Sequence, residues 1–466
     1  MPDFSLSAGV LTELRDTAAS DPALRIATNA VTSTDIDSVT LNRAAVTAVD
    51  PTTEVKLDSL GVTDQKQSGR CWMFAGLNVF RHRVAESLNV EDFEFSESYL
   101  QFYDKIEKSN HALRRLDELF RSGVTDPDDR LVNSLLTHVA HDGGWWNYLV
   151  NLVGKYGVVP KEAMGETFNS GNTHQMDARL QTVLRATAWK IREAVLAGAG
   201  AETTAPIIEA GLKDAHRVLA THLGLPPERF VWQYRDSSGT DKEFHREGEF
   251  TPLEFRDRVL SDEFTGGLEN YVCLVDDPRE ENPYGAAYSV AEGTNMWGTA
   301  DTSYINVGVS ELKRIAKASI DAGEPVWFAC DVNRQFAAAL GIWNADLYER
   351  DALYGTTTVS GPGTSKADQM RTRESMPTHG MVLTGYDNEA GTWRVENSWG
   401  TKSHGEHAKL AGAGSMKGYG TMKDAWFDDN VFQIAVHRRL LGDDFPGLDA
   451  LDRGETTVLP IWDAMA

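Results

Sequence analysis

DQKQSGRCWMFAGLNVFRHRVAESL, residues 64–88, begins as a polar loop and turns at Cys71 into an apolar run. Met73, Leu77, Phe80, Val84 and Leu88 follow one another at spacings of 4, 3, 4 and 4, which is one face of an α-helix. Trp72, Phe74 and Val79 are apolar off that stripe, so the helix has core on more than one side and is central to the fold. Cys71 therefore stands at a helix N-terminus, where unpaired N–H groups and the macrodipole favour a thiolate. Gln65, six residues earlier, is a side-chain amide able to donate to the oxyanion of an attacked carbonyl, with the Cys71 N–H as second donor.

A second stretch supplies the partner such a thiol needs. Met381–Tyr386 and Thr392–Glu396 are β-type runs around the turn-like Asp387-Asn388-Glu389-Ala390-Gly391, which predicts an antiparallel hairpin. His379 stands at the mouth of its first strand and Asn397 at the end of its second, with their midpoint at residue 388 inside the turn. The two are expected nearly opposite each other, on one face provided no bulge shifts the register. A neutral amide so placed fixes an imidazole's tautomer and orientation. Together the four residues specify acyl transfer through a thioester, with Cys71 as nucleophile, His379 as base then acid, Asn397 as orienter and Gln65 as oxyanion donor.

Composition narrows the partners. Among 466 residues, 45 Lys and Arg face 69 Asp and Glu for a net charge of -24, which repels nucleic acid and anionic membranes. The densest basic runs, Arg81-His82-Arg83, Arg371-Thr372-Arg373 and Arg438-Arg439, are scattered. Cys71, Cys273 and Cys330 are too few and too dispersed for a disulfide framework or a four-thiolate zinc site, and the last two lie in strand-like core runs. The N-terminus lacks a leader pattern and no run reaches the ~18 apolar residues of a membrane span, so the expected location is cytoplasmic. His404-Gly405-Glu406-His407 reads as a solvated loop rather than a metal site, and GAGSMKG at 412–418 matches no nucleotide-binding spacing. Neither a metal nor a cofactor is expected.

Helical patterns at 98–140, 144–158 and 180–222, the last interrupted near Gly198–Gly200, precede a strand at 325–332 and a loop at 354–366 read as mobile. The expected division of the single unit is an arm at 1–55, a helical subdomain with the nucleophile at 56–165, a mainly helical insertion at 166–320, a β subdomain with His379 and Asn397 at 321–450, and a C-terminal arm at 451–466.

QKQSGRCW at 65–72, His379-Gly380 and Asn397-Ser398-Trp399-Gly400 resemble the three signature segments of papain-like cysteine peptidases. FSESYLQFYDKIEKSN at 95–110, DGGWWNYLVNLVGKYGVVPKEAMGETF at 142–168, GEPVWFACDV at 323–332, WRVENSWG at 393–400 and KGYGTMKDAWF at 417–427 are similar to the bleomycin hydrolase and bacterial aminopeptidase C family. The resemblance implies an α+β papain-like fold, a helical subdomain beside an antiparallel β subdomain, with large insertions and a C-terminal arm. It implies an intracellular thiol aminopeptidase acting on peptides, assembled as a homohexamer around a central channel. Gly143 and Gly144 resemble the paired glycines that contact substrate backbone.

By the same resemblance the C-terminal arm lies in the cleft and Ala466 would meet the substrate's α-amine. The segment after Gly400, TKSHGEHAKLAGAGSM, is longer than the family's short Gly-His-containing link. The arm ends roughly three residues early, which at ~3.3 Å per extended residue removes up to ~10 Å of reach. A partly open groove, with oligoendopeptidase activity on N-blocked peptides as the alternative to strict aminopeptidase action, is the expectation. Some relatives are associated with DNA binding, a reading the acidic composition disfavours.

Overall fold

The helix expected from Asp64–Leu88 runs Cys71–Leu88, and the whole apolar stripe is buried together with Trp72, Phe74 and Val79. It has core on two sides because it lies between the strands His379–Asp387 and Val326–Cys330 and the helix Trp146–Tyr156. Gly76 permits the close crossing, since a Cβ there would sit 2.3 Å from the Leu149 side chain. Asn89, at φ 52°, closes the helix in the left-handed conformation. The computed structural model describes residues 5–57, 60–237, 242–261, 267–356, 364–404 and 418–466. The loop expected to be mobile falls largely outside them, as does the nucleotide-like glycine run.

Glu97–Arg121 starts on Ser96, whose hydroxyl accepts the Tyr99 N–H. Against it pack Trp146–Tyr156 and a helical pair, His174–Leu196 and Ala201–Leu223, broken where the glycines foretold. Beside the helices stands a sheet of twelve strands among the described residues. Val326–Cys330 is central and antiparallel to both Val431–His437 and His379–Asp387, which continues through Thr392–Glu396 to Tyr419–Lys423. Alternation along Val326–Cys330 sends Trp327 and Ala329 toward the helices and Val326, Phe328 and Cys330 into a second core on the far face.

Two details depart from the expected division. Tyr271–Val275, Ala287–Val290 and Ser303–Asn306 belong to the main sheet, so the segment 166–320 is mainly helical only as far as Leu223. Local periodicity identifies a strand but does not say which sheet it joins. The arms are also tied in. Val55-Lys56 pairs with Tyr386 and Gly385, and Thr457–Leu459 lies parallel to Ala287–Val290.

The hairpin carries a bulge. Asp387, Tyr386 and Gly385 pair with Thr392, Trp393 and Arg394, but Leu383 and Val382 pair with Val395 and Glu396, so Thr384 is an extra residue. Its hydroxyl accepts from Arg394 Nη1 at 2.9 Å, and its carbonyl accepts the Leu57 N–H at 2.9 Å.

Candidate active site

Cys71 is the first residue of its helix, and the loop before it is pinned from several directions. Arg70 is buried, donates Nε to Ser68 Oγ at 2.9 Å, and forms a two-pronged pair with Glu166 at 3.0 and 2.7 Å. Burial alone would raise the Glu166 carboxyl, yet Arg70 and Ser170 bring it down to about 2. The Gly69 N–H donates to Asp142 Oδ2 at 2.9 Å, and Trp72 Nε1 donates to the Asp142 carbonyl at 2.8 Å. Asp142 is held in turn by Lys105 at 2.6 Å and Thr173 at 2.6 Å. The loop and the Gly143-Gly144 segment are thereby joined into one wall. Gly144 has to be glycine, because a Cβ would stand 2.5 Å from the Trp72 ring. Gly143 already gives its carbonyl to Lys108 Nζ at 2.6 Å.

Gln65 is buried, and one proton of its Nε2 goes to the Ser68 carbonyl at 2.7 Å, leaving a second proton for another acceptor. Its backbone N–H donates to the Ser398 carbonyl at 2.9 Å. Thr63 Oγ1 donates to Ser398 Oγ at 2.9 Å, and Asn78 of the Cys71 helix donates to Thr63 Oγ1 at 3.0 Å. Gln65 and the segment after Asn397 are therefore fixed to the helix that presents Cys71. Arg81 on that helix also pairs with buried Glu396 at 2.6 Å.

His379 Nε2 lies 2.9 Å from Asn397 Oδ1, with Trp399 against the imidazole at 4.8 Å between centroids. The register refines the expectation that the two stand nearly opposite. Extended past Glu396, the register sets Asn397 beside Met381, diagonal to His379 and on the same face. Without the bulge the pairing would set Asn397 beside Val382, on the opposite face from His379. The bulge is the condition for the contact.

With Nε2 engaged, Nδ1 is the His379 nitrogen left for the thiol. The Gly380 N–H faces the Cys71 sulfur, and a Cβ on Gly380 would meet Trp72 Cα at 3.2 Å, so glycine lets the His379 strand lie against the helix's first turn. Burial pushes the Cys71 thiol up, against the N–H groups of Gly380 and Trp72 that favour thiolate. Burial likewise pushes the His379 imidazolium down to about 4, opposed by Asn397. Burial thus disfavours a lone charge on either group.

His404 departs from the solvated loop expected of it. It is 5% exposed, and its Nε2 accepts from Asn397 Nδ2 at 3.2 Å. Residues 405–407 lie outside the described residues. No periodicity marked His404, and its place a few residues beyond Asn-Ser-Trp-Gly was the one available signal.

Cys71, His379, Gly143, Gly144 and Ala466 line one cavity of about 450 Å³. The arm, expected to be short, nonetheless reaches the cavity, where Ala466 is part of the wall. Asp463 pairs with Arg279 at 3.0 and 2.7 Å, Arg373 donates to the Trp462 carbonyl at 2.6 Å, and Ala464 and Met465 are buried. The length argument assumed an extended tail, whereas the Ala466 N–H bonds back to the Asp463 carbonyl at 3.2 Å and turns the end into the cavity.

A cleft lined by a thiol at a helix N-terminus and by an imidazole that an amide holds is equipped for acyl transfer; Gln65 is buried in the loop before the thiol and is not among the lining residues. The Peptidase C1-like family model matches residues 5–466. Bleomycin hydrolase of Homo sapiens is 37% identical over 455 residues, 96% of this chain and 95% of that protein. Aminopeptidase C of Listeria monocytogenes is 35% identical over 433 residues, 92% of this chain and 91% of that protein. The crystal structure of PepW from Lactobacillus rhamnosis superposes with a TM-score of 0.90 at 32% identity, covering 99% of both chains. On the length of those matches and the agreement of fold, the chain belongs to the Peptidase C1-like family and is a cysteine peptidase of papain-like fold.

Proposed function

We propose that this peptidase releases N-terminal residues from peptides through an acyl-enzyme on Cys71. The observation that carries this reading is the tail: Ala466 shares a cavity with Cys71 and His379, so chain fills one end of the cleft and little peptide fits beyond the scissile bond on that side. Substrate backbone lies along Gly143 and Gly144, with its N-terminal residue meeting Ala466. The thiolate attacks the carbonyl carbon, and the oxyanion accepts hydrogen bonds from the second Gln65 Nε2–H and the Cys71 N–H. His379, having accepted the thiol proton, passes it to the departing amine as the C–N bond breaks, leaving a thioester. Water, deprotonated by His379, then attacks the thioester, and the thiol is restored.

Relatives named aminopeptidase C and bleomycin hydrolase support the same reading. With the tail in the cavity, no observation favours the endopeptidase alternative. Family resemblance further supports a cytoplasmic homohexamer, which light scattering on the full chain decides. Among the described residues no helix is long and apolar enough to cross a membrane.

Cys71→Ala is expected to abolish hydrolysis of aminoacyl-arylamides at unchanged Tm. Iodoacetamide is expected to label Cys71 before Cys273 and Cys330, which are fully buried with thiols pushed up by burial, to about 12 for Cys273. Residual turnover at the wild-type rate would overturn the assignment.

A further inference from the structure

Asn397 has two partners. Its Oδ1 lies 2.9 Å from His379 Nε2, and its Nδ2 lies 3.2 Å from His404 Nε2. An amide donates only through nitrogen and accepts only through oxygen, so the protonation of one imidazole dictates that of the other. Two arrangements satisfy the row. In the first, His404 carries its proton on Nδ1, Asn397 donates to His404 Nε2, and Asn397 Oδ1 accepts from a protonated His379 Nε2. His379 Nδ1 is then a bare lone pair available to the Cys71 thiol. In the second, His404 is protonated on Nε2, the amide is reversed, and His379 holds its proton on Nδ1, where it cannot take one from sulfur.

The Asn397 amide as placed, Oδ1 toward His379 and Nδ2 toward His404, matches the first arrangement, which puts the His404 proton on an Nδ1 that is buried with no hydrogen-bond partner among the described residues. The His404 ring is packed by Phe336, Trp343 and Trp399 at centroid separations of 5.5, 5.4 and 5.9 Å. Its backbone sits at φ 70°, a conformation side-chain-bearing residues seldom adopt, with its N–H on the Ala338 carbonyl at 3.0 Å. The ring is thus delivered to Asn397 by the fold and shielded from water that would offer the amide other partners. Burial first, and then the nearby His379, disfavour a second proton on His404, while the Ser403 carbonyl favours one. A neutral ring that accepts at Nε2 carries its proton on Nδ1.

We propose that His404 is a positioning residue for peptide hydrolysis, accepting the Asn397 amide proton and so holding His379 in the tautomer that can deprotonate Cys71. The inference rests on the assignment of Cys71, His379 and Asn397 given above. It is distinct from orientation by Asn397 alone, because an asparagine can turn either way and something beyond it has to choose.

The test is steady-state hydrolysis of an aminoacyl-arylamide by the full chain. His404→Phe retains the aromatic packing and removes the acceptor. A fall in kcat on the order of ten- to a hundredfold, with KM and Tm little changed, is expected. His404→Gln places an amide oxygen near the former Nε2 and should recover most of the lost kcat. In an Asn397→Ala background, His404→Phe should have no further effect, since the row is already broken. Wild-type kcat in His404→Phe, no recovery in His404→Gln, or multiplying effects in the double variant would overturn the proposal. Should His404→Phe fail to fold, nitrogen NMR of the wild type decides: a proton on His404 Nδ1 supports it, and a proton on Nε2 overturns it. Full activity in Cys71→Ala would defeat the underlying assignment instead, whatever His404 does.

Discussion

His379 and His404 share a buried, aromatic-walled space, and burial pushes the imidazolium of each down to about 4. In the unfolded chain both titrate near the ordinary ~6.5. Between those values the unfolded state binds protons that the folded state refuses, so folding becomes less favourable as pH falls. The contribution of the two neutral rings is fully present above about pH 6.5 and is lost as pH drops toward about 4. Thermal melts across that window should show Tm declining, and His404→Phe should decline less steeply. A wild-type Tm flat through the window would contradict this account.

Arg81 and Glu396 matter at the scale of elements. The Cys71 helix and the strand leading to Asn397 are joined by this fully buried ion pair, with Arg81 Nη2 also donating to the Gly61 carbonyl at 2.6 Å and Tyr419 Oη donating to Glu396 at 3.3 Å. Burial would raise the Glu396 carboxyl, but Arg81 and His82 hold it down at about 2. Glu396→Gln keeps the shape and leaves the buried Arg81 charge with only the more distant, exposed Asp92 at 3.8 Å to offset it. A loss on the order of 3–5 kcal/mol in urea unfolding is expected, with activity falling as helix and strand lose their fixed separation. A loss below ~1 kcal/mol, the range of surface pairs, would mean that the pair does not clamp the elements.

On the scale of the whole molecule, the chain's last segment returns to a site built by residues from both ends of the sequence, Cys71 and Gly143 from one and His379 from the other. Thr457–Leu459 joins the sheet edge, Asp463 locks onto Arg279, and the Trp462 ring lies under the Arg130 guanidinium at 4.1 Å. Deleting Ala464–Ala466 should raise cleavage of N-acetylated peptides relative to the same peptides with free amines. An unchanged ratio would show that the tail does not restrict the cleft.

The Cys71 helix and the hairpin were legible in the amino-acid order, as were the residues of the proposed quartet, Gln65, Cys71, His379 and Asn397. Their signals are local: an apolar stripe at helical spacing, turn residues between two β-type runs, and a thiol placed just before the stripe. The Thr384 bulge was not legible, because it is set by residues far off in sequence: the Leu57 N–H takes its carbonyl, and Gly385 lies so close to the arm that a Cβ there would be 2.5 Å from the Val55 oxygen. That single extra residue decides whether His379 and Asn397 share a face. His404 was misread for the same reason, its burial depending on Phe336, Trp343 and Trp399 converging from separate segments. The tail's reach was misjudged because chain length bounds an extended segment, while the turn at Asp463–Ala466 and its anchor on Arg279 exist only in the folded molecule. Sequence determined the chemistry and the elements that carry it, since these depend on residue type and short-range spacing. Tertiary structure alone decided register, burial and closure of the cleft, since these depend on contacts between residues hundreds of positions apart.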